Sequence, residues 1–348
     1  MKKNSMDEFL TKIPKAQLHL HIEGSISPKT VAKLAVRNEC DFFRTPEEVS
    51  LSLLNREPGL EGFLHHYNKA LTVLRTQNDF YYATYNLLKT LKSNNIIYLE
   101  LFFDPQAHTS RGIPFDTIIK GIHKGRKNGE KEFGIKVNLI MCANRERSVE
   151  SAFEMLDQAA EHRSKILGFG LDSGPEDGNP PSKFKEVYAR AKNEGYHLTA
   201  HNDVDQKDSV QHIWESINIL QVERIDHGIN TIDDPKLVDE LKYRNICITA
   251  CPVKRRNDPG PQDVDRIKTL YELGVCVTLN SDDPAQFESG YLTELLISVQ
   301  QASGYSKEDM TNFIINAFKA SWLPRVEKDN YIELVKEYAK SNGVDFQY

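Results

Sequence analysis

A repeat of short apolar runs limits the possible folds of this sequence more than any other feature. Eight runs of four to seven residues recur along the chain, and polar or amphipathic stretches separate them. A strand of this length followed by a helix, repeated many times, is typical of parallel βα units. The runs are Ala16–His21, Ile97–Phe103, Ile135–Met141, Ile166–Leu171, Tyr196–His201, Arg224–His227, Ile246–Ala250 and Val275–Asn280.

The stretches between the runs have the apolar spacing of helices. Clear examples are Phe115–Lys127, Ser182–Gly195 and Asp234–Asn245. Eight βα units predict an α/β fold of the closed (β/α)8 type, the TIM barrel. The competing arrangement, an open doubly wound sheet, would carry a glycine-rich fingerprint after the first strand, and residues 21–28 (HIEGSISP) contain none.

Helical patterns also occur outside the eight units. Residues 28–95 hold several of them before the second strand, and the chain after Gly290 is helical as well. We expect these extra helices, near the N-terminus and at the C-terminus, to pack around the barrel. Because no linker, repeat or low-complexity segment interrupts the pattern, we predict a single domain over residues 1–348.

Two histidines lie at the end of the first predicted strand. His19 and His21 are two residues apart, and side chains alternate across a strand, so both imidazoles face one side. In a barrel that side is the lumen, while Leu18 and Leu20 would lie under the helices. Histidines in a lumen are either hydrogen-bonded core residues or metal ligands, and the pair alone does not decide between the two.

The other strand ends favour a metal. The fifth strand ends in His201 and the eighth is followed by Asp282 and Asp283. Barrel enzymes build their active sites at the carboxyl ends of the strands, where these side chains would meet. His19, His21, His201 and Asp282 therefore predict one divalent cation per chain, with zinc expected and Fe²⁺ or Mn²⁺ possible for such ligands.

Five segments together resemble the adenosine/adenine deaminases of the metal-dependent amidohydrolase superfamily, and the likeness runs over roughly residues 12–340. Glu23, rather than aspartate, in the first segment is similar to the adenine deaminase branch. Any one segment would be a weak signal, whereas the combination is specific. The segments are PKAQLHLHIEGSISP (14–28), LELFFDPQAHTSRGIPF (99–115), GFGLDSGPEDGNPPSKF (168–184), ERIDHGIN (223–230) and LNSDDPAQF (279–287).

The resemblance implies roles for individual residues. The four predicted ligands would bind one zinc, Asp283 would hydrogen-bond a ring nitrogen of a purine, and His227 would orient the nucleophile. Gly170, Asp172 and Ser173, at the end of the fourth strand, would contact the far side of the base. The implied reaction is attack of metal-bound hydroxide on the carbon that bears the exocyclic amine of adenine or a related ring, with release of ammonia.

The sequence departs from the family pattern after the fifth strand. The family's strand ends His-Ala-Gly-Glu, and its glutamate protonates a ring nitrogen, whereas this chain has Val204 at that place and about two extra residues in the loop. A placed general acid contributes about 10²–10⁴-fold. Asp203 and Asp205 are the candidate replacements, although either could instead be a solvated loop residue or a helix N-cap.

Another departure follows the seventh strand, where Lys254, Arg255 and Arg256 form a basic stretch. These side chains could meet an anionic or carbonyl-bearing ligand, or they could be an exposed run of charge. Three functions therefore stay open. They are a zinc-dependent deaminase of aminopurine-type rings, a non-purine amidohydrolase that needs no ring protonation, and a pseudoenzyme that binds purines.

Composition narrows the partners and the compartment. The net charge of −6 and the lack of a clustered basic surface argue against a nucleic-acid partner, so we expect a small-molecule substrate. No apolar run approaches the roughly 20 residues of a membrane-spanning helix, and the N-terminus lacks the apolar core of a signal peptide. Five cysteines without a CxxC pair predict free thiols in the cytoplasm. The oligomeric state is open.

Overall fold

The structure is a computed structural model that describes residues 5–57, 59–174, 179–202, 207–255 and 257–346. Within these residues, eight parallel strands pair in chain order, each with the next. The strands are Lys15–Gln17 (β1), Ile96–Phe103 (β2), Lys136–Asn144 (β3), Gly168–Asp172 (β4), His197–Asn202 (β5), Arg224–His227 (β6), Cys247–Ala250 (β7) and Val277–Leu279 (β8).

The last strand returns to the first and closes the sheet. A parallel bridge joins Leu20, beyond β1, to Asp282, beyond β8. The side-chain oxygen of Asn280 strengthens this seam, because it accepts the backbone N–H groups of Leu18 at 3.0 Å and His19 at 3.2 Å. The eight strands therefore form the predicted (β/α)8 barrel, and its closing seam lies directly beside the candidate metal ligands.

The described helices surround the barrel, and several of them lie before β2 and after β8, as the sequence predicts. They are Met6–Lys12 (α1), Pro28–Arg37 (α2), Pro46–Leu54 (α3), Gly59–Leu71 (α4), Gln77–Ser93 (α5), Pro105–Thr109 (α6), Phe115–Phe133 (α7), Val149–Ala159 (α8), Lys185–Asn193 (α9), Ser209–Glu215 (α10), Pro235–Arg244 (α11), Val264–Glu272 (α12), Leu292–Ser303 (α13), Lys307–Ala320 (α14) and Arg325–Ser341 (α15).

Local sequence explains where the main helices start and stop. Helix α5 begins with a capping box, in which Thr76 accepts the N–H of Asp79 and the Asp79 carboxylate accepts the N–H of Thr76. Helix α7 ends at Gly134, whose φ of 71° lies in the left-handed region that glycine adopts without strain. These signals fix the lengths of two helices that pack against each other outside β2 and β3.

The barrel interior contains apolar and charged layers. Phe102, Ile140 and Cys142 form a small buried cluster against which Trp322 packs from the C-terminal segment. Below the candidate site, the guanidinium of Arg224 lies 2.5 Å from the carboxylate of Glu100, and both side chains are buried. Among the described residues, buried side chains thus occupy the lower lumen, which leaves the carboxyl-terminal end as the expected place for a ligand.

The first strand, the cysteines and the helices can be compared with the predictions from sequence. The first strand is shorter than predicted, because regular pairing ends at Gln17 and only isolated bridges continue through His21. All five cysteines are free thiols, and all but Cys276 are buried. Among the described residues, no helix combines the length and the apolar character needed to cross a membrane. The single domain over residues 1–348 stays a prediction.

Candidate active site

Three histidine rings meet at the carboxyl end of the barrel. His19 and His21, beyond β1, have ring centroids 4.6 Å and 5.1 Å from that of His201 on β5. Asp282, beyond β8, places its Oδ1 atom 3.2 Å from Nε2 of His19 and 3.6 Å from Nε2 of His21. The structure thus brings together the four side chains that the sequence indicates as metal ligands, here called the candidate metal centre.

The backbone around these residues follows from their sequence. Leu18 and Leu20 are fully buried in the hydrophobic core, so the alternating histidines must face the lumen. The bridge from His21 to Phe102 on β2 keeps this alternation beyond the regular strand. Asp282 has a φ of 58°, which is uncommon for a residue with a side chain and typical of positions held under strain at functional sites.

Hydrogen bonds orient the ring of His201 towards the centre. Its Nδ1 atom lies 3.0 Å from the carbonyl oxygen of Leu171, and a carbonyl only accepts, so Nδ1 carries the hydrogen. The Nε2 atom therefore presents a lone pair, and it lies 3.1 Å from Nε2 of His21. Burial and the neighbouring histidines lower the pKa of His201 well below its usual range, and burial lowers the pKa of His21 to about 4.

The donor set fits a divalent cation. Nε2 of His19 is buried and has no hydrogen-bond partner among the described residues, although the Asp282 carboxylate lies beside it. Despite burial, the nearby His19 lowers the pKa of Asp282, so that this oxygen is anionic. Three imidazole nitrogens and a carboxylate oxygen gathered at one point are ligands of the kind that zinc prefers.

His227 and Cys251 lie beside the candidate metal centre. The ring centroid of His227, at the end of β6, is 4.7 Å from that of His19 and 5.3 Å from that of His201. Ligand atoms of His19, His227, Cys251 and Asp282 all lie within 4.8 Å of one another. Since His227 is only partly buried and has a φ of 60°, its ring lies at the open side of the centre. Cys251 is not among the residues that the strand ends indicate as metal ligands.

Four buried carboxyl side chains lie next to the candidate metal centre and are here called the acidic wall: Glu23, Asp104, Asp172 and Asp283. Each has one side-chain oxygen without a hydrogen-bond partner among the described residues. Burial, reinforced by the charges of Asp172 and Glu23, raises the pKa of Asp104 well above its usual range, and burial raises the pKa of Asp172 to about 7. Since a protonated carboxyl group can also donate, the wall offers both donors and acceptors in a small volume.

Contacts from behind hold Glu23 in this wall. Its Oε1 atom accepts the backbone N–H of Asp104 at 3.2 Å and lies 3.1 Å from Nε2 of His108. The guanidinium of Arg111 donates to Nδ1 of His108 at 2.8 Å, so the Nε2 atom of His108 is the nitrogen that donates to Glu23. His108 thus supports Glu23 from outside the acidic wall. The Oε2 atom of Glu23, which has no hydrogen-bond partner among the described residues, can still bind a ligand.

Asp283 depends on the glycine opposite it. A Cβ atom at Gly24 would lie 1.6 Å from Oδ1 of Asp283, so only glycine leaves room for this carboxyl group. The N–H of Ala285 donates to the carbonyl of Gly24 at 3.0 Å and joins the two loops. The segments beyond β1 and β8 therefore carry residues that the sequence predicts as metal ligands, together with Asp283, which it predicts as a substrate contact.

The residues of β4 take different positions. Asp172 is at the strand end, where Asn144 donates to its Oδ1 atom at 3.2 Å. Gly170 lies deeper, and a Cβ atom there would come 2.7 Å from Sγ of Cys142. Ser173, with a φ of 71°, donates its hydroxyl to Glu146 at 2.8 Å. Contacts of these three residues with a base stay predictions.

Helix α4 lies over the mouth of the site. Phe63 stacks on Phe287, from the loop after β8, with ring centroids 5.6 Å apart and an interplanar angle of 6°. Burial and the charges of the acidic wall, Asp104 foremost, raise the pKa of Tyr67 well above its usual range. Tyr67 is thus a pocket residue that sequence analysis missed, because a helical pattern does not show which face covers a barrel mouth.

The residues that the sequence singles out in the loops after β5 and β7 are only partly described by the structure. Asp203, Val204, Asp205 and Arg256 lie outside the described residues. Lys254 is half-exposed, and its Nζ atom lies 2.9 Å from the carboxylate of Glu288. Part of the basic stretch is therefore paired with an acid on the neighbouring loop.

Comparison with known proteins decides the family. The profile of the family described as adenosine deaminase matches residues 14–338. The chain belongs to the adenosine deaminase family. An adenine deaminase from Crocosphaera subtropica is 44% identical over 333 residues, which cover 94% of this chain and 100% of that protein. This family assignment confirms the resemblance seen in the five sequence segments.

Solved structures agree with the assignment to the adenosine deaminase family. The adenine deaminase of Arthrobacter aurescens has a TM-score of 0.85 at 31% identity, over 94% of this chain and 99% of that chain. An amidohydrolase from Burkholderia ambifaria, solved with bound zinc, shares the fold with a TM-score of 0.86 at 23% identity, over 98% and 96% of the two chains. The protein is a hydrolytic deaminase with a metal-dependent amidohydrolase fold.

Proposed function

We propose that this protein hydrolyses the exocyclic amine of adenine or a closely related aminopurine base and releases ammonia. The observation that carries the proposal is the pairing of two unlike sides in one pocket, namely the candidate metal centre and the acidic wall. The relatives named adenine deaminase, at 35–44% identity, support adenine as the first substrate to try. The zinc of the amidohydrolase from Burkholderia ambifaria supports zinc as the first metal.

The side chains of His19, His21, His201 and Asp282 would hold the metal in this proposal. Such a cation, when bound, would lower the pKa of a water molecule to about 7 and so supply a nucleophile at neutral pH. His227, at the open side of this centre, would orient the nucleophile and stabilise its charge. Fe²⁺ and Mn²⁺ suit the same ligands and are the alternatives to zinc.

The acidic wall would select the base. Its unpaired carboxyl oxygens accept hydrogen bonds or, where they are protonated, donate them, so they match the ring nitrogens and N–H groups of a free aminopurine. Asp283, whose Oδ1 atom is unpaired beside Gly24, would hydrogen-bond a ring nitrogen of the base. The acidic wall itself offers no positive charge that could pair with a phosphate. A free base is therefore preferred to a nucleotide.

The proton that reaches the ring needs its own donor. Val204 cannot supply it, so Asp203 and Asp205 are proposed as replacements on sequence grounds. Asp203→Asn and Asp205→Asn, made singly, distinguish them, and the true donor loses about 10²–10⁴-fold in kcat. If both variants keep the wild-type kcat, neither aspartate is the acid.

Ammonia release from a substrate panel tests the proposed function. Zinc-loaded protein is incubated with adenine, other aminopurine bases, adenosine and AMP. We expect product from adenine or another free base, with kcat/KM for AMP lower by at least about a hundredfold, the scale of one lost charged contact. Turnover of non-purine amides alone would favour a different amidohydrolase, and zinc binding without any turnover would favour a purine-binding pseudoenzyme.

The compartment and the substrate type complete the proposal. Five free thiols agree with a reducing compartment, so we place the enzyme in the cytoplasm. The proposed partner is a small molecule rather than a nucleic acid, since the chain has a net charge of −6.

A further inference from the structure

Asp226, at the end of β6, has no part in the site described so far, although it is fully buried in the lumen. Two threonine hydroxyl groups donate to its carboxylate. Thr249 on β7 donates to Oδ1 at 2.8 Å, and Thr199 on β5 donates to Oδ2 at 2.6 Å. The three residues come from adjacent strands, and Asp226 pairs with Thr249 in register. A buried carboxylate with two hydroxyl donors is a fixed structural element of this interior.

The hydrogen bonds continue from Asp226 to a candidate metal ligand. The Oγ1 atom of Thr249 lies 3.0 Å from Nδ1 of His19. A threonine hydroxyl has one hydrogen, and a carboxylate can only accept, so that hydrogen is given to Asp226. Thr249 must then accept from His19, which places the imidazole hydrogen on Nδ1. Nε2 of His19 is left with a lone pair, in agreement with its lack of a hydrogen-bond partner among the described residues.

Asp226 is itself held from below. Nε of Arg224 lies 3.6 Å from its carboxylate, and the same guanidinium lies 2.5 Å from Glu100 and 4.2 Å from the ring of Trp322. Tyr98 donates to Glu100 at 2.6 Å, and all of these groups except Trp322 are buried. The charged layer of the lower lumen thus fixes the position of Asp226.

We propose that Asp226 is a positioning residue for the metal centre, which acts through Thr249 to set the tautomer of His19. Asp226 contacts neither substrate nor metal in this arrangement. Its effect is to keep the hydrogen of His19 away from Nε2 and so to make that atom a ligand. Outer hydrogen bonds of this kind change metal affinity by about 10–100-fold. The inference rests on the proposed metal-dependent function and adds a residue that determines the metal affinity of its site.

Thr249 and Thr199 provide a matched pair of variants. Both hydroxyl groups donate to Asp226, both residues are fully buried, and only Thr249 reaches His19. We expect Thr249→Val to lower zinc affinity by about 10–100-fold in chelator competition, while Thr199→Val changes it by less than about threefold. Thr249→Ser, which keeps the hydroxyl, should restore the wild-type affinity. Equal losses in both valine variants would overturn the proposal.

A second readout does not involve metal or activity. In metal-free protein labelled with ¹⁵N-histidine, the wild-type resonances of His19 should show hydrogen on Nδ1, and Thr249→Val should lose that preference. His19 with hydrogen on Nε2 and none on Nδ1 in the wild type would contradict the inference. If the wild type binds no zinc, the proposed function fails by itself, whereas the tautomer experiment still decides the positioning role.

Folding and kinetics complete the test. If Thr249→Val does not fold, Asp226→Asn replaces it, since the amide has the same shape and its nitrogen can donate to Thr249. We expect this variant to lose zinc affinity to a similar extent. At saturating zinc, KM for the substrate should stay within about threefold and most of kcat should return, because the defect lies in ligand geometry. A raised KM at full zinc occupancy would instead place Asp226 in substrate binding.

Discussion

The candidate metal centre and the acidic wall adjoin in one site, and they differ in how their polar atoms are satisfied. In the centre, His19 and His201 are each oriented by a hydrogen bond through Nδ1, so their Nε2 atoms are directed inwards. In the wall, contacts from behind hold the carboxyl groups of Glu23 and Asp172, and one oxygen of each is left unpaired. The metal centre is arranged to bind a cation, and the acidic wall to exchange hydrogen bonds with a base.

The adjacent residues Asp282 and Asp283 test this division most strongly. We expect Asp282→Asn to lose zinc affinity and to lower kcat/KM by about a thousandfold or more, because the water pKa returns towards 15.7 without a bound cation. Zinc content after dialysis, measured beside kcat, checks the prediction. A fully active Asp282→Asn protein would remove this residue from the metal centre.

Asp283→Asn is the matched change on the other side of the pocket. We expect it to keep its zinc and to lose about 10–100-fold in kcat/KM, the scale of one buried hydrogen-bonding group left unsatisfied. The measurement is the same pair of assays. Loss of zinc in this variant would show that the two sides are not separable.

Gly24→Ala should disturb Asp283 without changing any charge. The new Cβ atom would lie 1.6 Å from Oδ1 of Asp283, so the carboxyl group must move. We expect kcat/KM to fall about tenfold, the scale of one weakened hydrogen bond to the substrate, and zinc content to stay unchanged. Gly260→Ala, where no atom of the described residues lies within 4 Å of the added atom, is the control. Equal effects of the two substitutions would speak against a special role for Gly24.

Lys254→Gln should have the smallest effect. Lys254 is paired with Glu288 at the surface, and such pairs contribute about 0–1 kcal/mol. We expect kcat/KM to change by less than about threefold for every substrate of the panel. A larger loss that depends on the substrate would assign the basic stretch to ligand binding and would extend the site beyond the acidic wall.

Much of the barrel and of the metal centre can be predicted from sequence because both depend on short-range periodicity. Alternation alone places His19 and His21 in the lumen, since Leu18 and Leu20 must enter the core. Strand ends then bring His201 and Asp282 to the same rim. These inferences need only the strand period and the rule that active sites lie at carboxyl ends.

The acidic wall and its support depend on contacts between distant segments. Asp104 follows β2 directly and could have been found by the same rule as Asp282, whereas nothing local indicates that Tyr67 of α4 covers the pocket. The path from Asp226 through Thr249 to His19 needs the register of β6 and β7 together with side-chain distances. Hydrophobic periodicity gives neither the register of neighbouring strands nor the distances between side chains.

The claim that His19, His21, His201 and Asp282 share one divalent ion is tested most directly by anomalous diffraction at the zinc edge from crystals of zinc-loaded protein. The account predicts one strong peak about 2.0–2.2 Å from the three Nε2 atoms and from a carboxylate oxygen of Asp282. A peak bound by other residues, or no peak in this pocket at full zinc loading, would contradict it.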